Sequence, residues 1–132
     1  METLGDTLNQ LRSGDVLFID SSHEIGVGND VIFLYLQLIP RLPQGTLIHI
    51  HDIFLPYDYP RSWVIDERWG FTEQYLVQAL LTYSDAFEVI WASYYLQQTL
   101  PQFAIYFPHA QHRTGKSLWL RKRLPAIAVE AA

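Results

Sequence analysis

No cysteine occurs anywhere in the chain. Disulfide frameworks, thiolate nucleophiles and cysteine-ligated zinc or iron–sulfur centres are therefore excluded together. Charge is also scarce: charged residues make up 17% of the sequence, and nine cationic against fourteen anionic side chains leave a net charge of −5 and a pI near 5.4. A chain with that balance carries no overall positive field to hold a nucleic-acid backbone or an anionic membrane, and neither is expected as a partner. The basic cluster of Lys116, Arg121, Lys122 and Arg123 reads as a solvated strand end rather than a phosphate site. No apolar run approaches membrane-spanning length, and the first fifteen residues lack the basic-then-apolar order of a signal peptide. A soluble, cytoplasmic protein is the expectation.

What is present argues for a packed globule: 132 residues, 49% of them hydrophobic and 14% aromatic, enough to bury one core and too few for two. One domain over residues 1–132 is expected. Leu4, Leu8 and Leu11 stand at helical spacing before Ser13-Gly14, which suits a helix end. Val16-Leu17-Phe18-Ile19 is continuously apolar, the mark of a strand covered on both faces. Asp20-Ser21-Ser22-His23 ends it. Asn29 or Asp30 can cap a helix whose apolar positions are Val31, Leu34, Leu38 and Ile39, stopped by Pro40 and Pro43. Thr46 to His51 reads as a second strand, and the helix between makes a βαβ crossover with two parallel strands ending on the same edge.

Phe54 to Pro60 is an aromatic, proline-punctuated loop suited to a lid or pocket wall. Glu73 to Tyr83 has helical periodicity, Phe87 to Ser93 reads as a third strand and Ser117 to Arg123 as a fourth. No convincing long helix lies between these last two, so the fourth strand is expected antiparallel to the third. The tail from Leu124 is expected to fray.

The stretches GDVLFIDSSH, LIHIHDIFLPYDYP, FEVIWAS and SLWLRKR together resemble the C-terminal half of class I S-adenosylmethionine-dependent methyltransferases, over about Leu4 to Arg123. The resemblance implies an α/β fold: half of a doubly wound Rossmann-like sheet, about four strands with the last antiparallel and slipped between the second and third, and helices on both faces. It also implies S-adenosylmethionine as cofactor, with Asp20 and Ser21 on its side of the cleft, and a small-molecule methyl acceptor. The family's glycine-rich cofactor motif has no counterpart; Gly26-Val27-Gly28 follows the wrong strand and does not open directly into a helix.

In open α/β sheets ligands bind beyond the carboxyl ends of the strands, so Asp20 and Asp52 are expected in one cleft. Strands about 4.8 Å apart bring two such carboxylates close enough to share a cation. Asp20, Asp52 and His51 are the candidate metal ligands for a divalent ion, and His23 and His51 the candidate bases for a substrate hydroxyl. The competing reading makes Asp20 a turn cap with Ser21 and Ser22, and makes His49 and His51 hydrogen-bonded sheet residues. His109 and His112 read as loop residues, and the aromatics from Phe54 to Trp69 as core packing.

Three functions follow: an O-directed methyltransferase-type domain, weak or inactive as a half; a non-catalytic module that self-associates or completes a partner; and a small metal-dependent enzyme built on the Asp/His cluster. The uncovered edge of the first strand is expected to pair with another copy of the chain or to be blocked by the N-terminal segment.

Overall fold

Four short strands form one mixed sheet in the order β1-β2-β4-β3: β1 Val16–Ile19, β2 Leu47–Ile50, β3 Phe87–Ala92 and β4 Leu118–Lys122. The computed structural model describes residues 8, 10–109 and 113–127. β1 and β2 are parallel, with Ile19 beside Ile50, and β4 runs antiparallel to both β2 and β3. The last strand thus enters between the second and third, as the resemblance implies.

Alternation along the strands sets two faces. Ile19, Ile48, Ile50, Leu118 and Leu120 point to one side and are almost fully buried. Against them pack Val31, Tyr35 and Ile39 from the first crossover and Val77 from α2, Glu73–Tyr83. Each such aliphatic side chain contributes about 1.5–3 kcal/mol by leaving water. The first crossover begins as α1, Asp30–Phe33, widens into a π-type turn at Leu34–Leu38 and tightens into a 3₁₀ turn at Ile39–Arg41. Pro40 therefore lies inside the last turn rather than ending the helix before it. Asn29 occupies the N-cap without a side-chain cap bond, its amide donating instead to the Glu24 carbonyl at 2.8 Å, while Asp30 accepts from the Ser22 backbone and hydroxyl at 2.9 and 2.6 Å.

The opposite face is covered unequally. Between β3 and β4 the chain makes two short helices, α3 at Ser93–Thr99 and α4 at Phe103–Tyr106, in the stretch where the sequence shows no long helix. Phe103 of α4 and the following Phe107 pack over Trp91, with ring centroids 6.2 and 5.6 Å away. Towards β1 this face stays open, and Val16 and Phe18 remain 50% and 55% exposed. The continuous apolar run of β1 is thus not matched by cover on both sides among the described residues. Leu8 and Leu11 pack at the margin of the core; Leu4, His112 and the last five residues of the tail lie outside the described residues.

The far end of the sheet is closed by a glycine. Gly45 donates to the Lys122 carbonyl at 2.8 Å and its own carbonyl accepts from Gly14 at 3.0 Å, tying β1, β2 and β4 together. Its φ is +87°, and a Cβ there would fall 2.1 Å from the Ser13 hydroxyl, so only glycine fits. Lys122 corrects the solvated-strand-end reading: it shares the core face with Leu118 and Leu120, is 2% exposed, and donates to the carbonyls of Leu42, Leu124 and Pro125 at 2.8–2.9 Å. Burial lowers its pKa.

Candidate functional site at the strand ends

Because Ile19 and Ile50 are in register, the chain leaves β1 and β2 side by side, and the His51 amide still donates to the Ile19 carbonyl at 2.9 Å. Asp20, His23, His51 and Asp52 meet there. His23 and Asp52 both have positive φ, +62° and +56°. Such backbone costs about 1–3 kcal/mol at a non-glycine residue and bends each segment sharply as it leaves the sheet.

His23 is 5% exposed and lies at the centre. Its Nδ1 is 2.7 Å from Glu73 Oε2, its Nε2 is 3.4 Å from Asp20 Oδ1 and 3.8 Å from Asp52 Oδ2, and the Phe71 ring covers it. With a carboxylate facing Nδ1, that nitrogen carries the proton and donates. Burial opposes charge on this imidazole, but the Glu73 hydrogen bond and the charges of Glu73, Asp52 and Asp20 outweigh it, so the His23 pKa is raised.

Glu73 is fully buried at the first position of α2. Besides His23 it accepts from Tyr35 Oη at 2.8 Å and from Ser21 Oγ at 3.0 Å. Four acceptances on a carboxylate at a helix N-terminus would be full satisfaction; three charge-assisted or neutral donors plus the favourable helix end come close to it. The helix start is fastened to the same residue, because the His23 carbonyl accepts from the Thr72 and Glu73 amides at 2.7 and 3.0 Å. Sequence reasoning missed Glu73 and Tyr35 as members of this cluster.

The outer half is more open. Asp20 is 54% exposed and His51 38% exposed in their side chains. His51 Nδ1 lies 3.3 Å from Asp52 Oδ1, yet neither atom has a hydrogen-bond partner among the described residues, because the approach is poorly directed. Lys116 also reaches Asp52 Oδ1, at 3.3 Å, while its ammonium rests 4.5 Å above the Trp63 ring. The cluster is thus walled by the aromatic loop: Trp63 contacts Phe54, Tyr59, Trp69 and Phe71. His49 is a sheet residue, bonded to Ser117 Oγ at 2.9 Å and stacked on Trp119. His109 is exposed.

These residues do not fit a divalent metal. Lys116 already sets a cation against Asp52, and Glu73 spends both oxygens on protein donors. No group of three or more His, Asp or Glu side chains is arranged to hold a metal ion among the described residues. Asp20, His51 and Asp52 converge as the sequence suggests, with the Lys116 ammonium rather than a metal ion set against Asp52.

A family model described as a methyltransferase domain matches residues 1–53. The N-terminal part of the chain is methyltransferase-like. That match, together with the mixed α/β sheet, is consistent with half of a Rossmann-like fold, and the matched span holds Asp20, Ser21, His23, His51 and Asp52 but stops before Glu73 and Lys116. No curated protein and no solved structure matches the chain. Among the described residues no helix is long and apolar enough to cross a membrane.

Proposed function

We propose that this methyltransferase-like chain serves S-adenosylmethionine-dependent methyl transfer to a hydroxyl of a small-molecule acceptor. The observation that carries this reading is the buried Glu73–His23 pair aimed at Asp20 and Asp52 on the carboxyl edge of a methyltransferase-like sheet. The cofactor, when bound, supplies a methyl group on a positively charged sulfur. Asp20, exposed and anionic, and the neighbouring Ser21 are the residues suited to its cationic, hydroxyl-bearing edge. His51 is the imidazole an acceptor can reach, and it takes the hydroxyl proton as the oxygen gains the methyl group. His23, held by Glu73, keeps Asp20 and Asp52 in place. Titration calorimetry with S-adenosylmethionine should give saturable binding that Asp20→Asn weakens about tenfold, the scale of one charge-assisted contact. Absence of heat up to millimolar cofactor would overturn the reading.

A second reading, self-association, is favoured by the position of β1 as the outermost strand of the sheet among the described residues. Val16 and Phe18 leave apolar surface beside a strand that pairs only with β2 among the described residues, the arrangement a further strand can extend. On this reading a second copy pairs there, and light scattering should report a dimer that Phe18→Lys dissociates. A wild-type monomer at high protein concentration would dispose of it.

A further inference from the structure

The open face of the sheet holds a groove of about 850 Å³ that plays no part in the strand-end cluster. Trp119 and Trp91 form its floor on β4 and β3, placed side by side because a bulge between Val89 and Trp91 brings Trp91 opposite Trp119. Phe103 and Phe107 form one wall. The remaining rim carries two guanidinium groups. Arg121 is held by Glu88 at 2.9 Å, whereas the exposed Arg113 guanidinium has no partner among the described residues. An apolar concavity of this size, with a few polar groups at one side, is the usual form of a small-ligand site.

We propose that this groove binds an amphipathic organic anion, with a planar or acyl body against the four aromatic rings and its acidic head at Arg113. Charge complementarity selects that occupant. In a chain of net charge −5, the charged group at this rim without a partner among the described residues is a cation, and apart from Ser93, His109 and Thr114 the rest of the lining is mainly apolar. A neutral ligand would use the rings and leave the guanidinium idle. A second copy would have to present a convex apolar knob with an acid beside it. Arg121, already neutralised by Glu88, sets the far limit of the head-group position and adds little charge of its own.

The test uses two probes of similar shape on the intact chain: 1-anilinonaphthalene-8-sulfonate, which is anionic, and N-phenyl-1-naphthylamine, which is neutral. Fluorescence titration should show one saturable site for the sulfonate. Arg113→Gln, a change at an exposed side chain that leaves the fold alone, should weaken it about three- to fivefold, the range of one exposed ion pair, and leave the neutral probe unchanged. Ile90→Glu, also on the exposed lining, should weaken the sulfonate more than the neutral probe. Equal affinities for the two probes with no response to Arg113→Gln would overturn the proposal. So would a dimer by light scattering that excludes the sulfonate and is dissociated by Ile90→Glu.

Discussion

Replacing Glu73 by alanine is expected to cost about 3–5 kcal/mol of folding stability, the scale for removing one partner of a buried charged pair. The loss has three parts. The proton on His23 Nδ1 loses its carboxylate, and the Tyr35 and Ser21 hydroxyls lose their acceptor in the same stroke. Buried donors left unpaired cost about 1–3 kcal/mol each, reduced where a water can enter the space vacated. Glu73→Gln separates charge from shape. Its carbonyl oxygen can still accept from Tyr35, but its amide group then confronts His23 Nδ1–H as one donor against another, at an expected cost of about 1–3 kcal/mol. Urea denaturation of the three proteins measures the series; a loss below about 1 kcal/mol for the alanine variant would show that the cluster does not depend on Glu73.

The same pair predicts a pH dependence with a definite sign. The His23 pKa is raised in the folded chain above its ordinary value of 6.5. A raised value means that the folded state holds this proton more tightly than the unfolded state does. The resulting stability is fully present below about pH 6.5 and is lost as the pH climbs through the folded-state value. Wild-type protein should therefore lose stability over that interval relative to His23→Gln, and Glu73→Gln should flatten most of the difference, because Asp20 and Asp52 alone lie 3.4 and 3.8 Å away.

How this cluster came to be only half legible in the sequence has a physical cause. Strand ends are readable: a run of apolar residues stopped by Asp20, and another stopped by His51-Asp52, place those side chains at one edge with no tertiary knowledge. The crossover makes β1 and β2 a parallel pair and the missing helix makes the last strand antiparallel, but its place between β2 and β3 is implied only by the family resemblance. Glu73 carries no such mark. An acidic residue in the first turn of a helix ordinarily complements the helix dipole in water, and nothing local distinguishes that from a buried carboxylate receiving three donors. Tyr35 hides likewise in the middle of an apolar helix face. Lys122 was legible after all, since Leu118, Leu120 and Lys122 alternate onto one face, and its burial follows from the period of two. The unequal cover of the sheet could not be read, because an apolar run shows that a strand can be covered and not that it is.

The second large effect lies in the aromatic wall. Phe54 is completely buried, with edge-on neighbours in Tyr59, Trp63 and Tyr94 at centroid distances of 5.9, 5.2 and 5.1 Å. Its backbone amide is bonded to the buried Gln74 side chain at 3.1 Å, which joins the loop to the helix bearing Glu73. Phe54→Ala removes the ring that these three share, and the expected cost is about 3–5 kcal/mol. Phe54→Leu keeps most of the volume while losing the ring pairs, worth about 0.5–1.5 kcal/mol each beyond burial, so it should fall between alanine and wild type. Chemical denaturation supplies both values; an alanine variant within about 0.5 kcal/mol of wild type would mean that the loop is not packed as described. The consequence for the site is specific. Trp63 seats the Lys116 ammonium that faces Asp52, so a loosened Trp63 frees that cation and exposes the acidic edge. If Asp20 and Asp52 attract a cationic cofactor, Phe54→Leu, still folded, should change the salt dependence of S-adenosylmethionine binding without touching a single residue of the cluster.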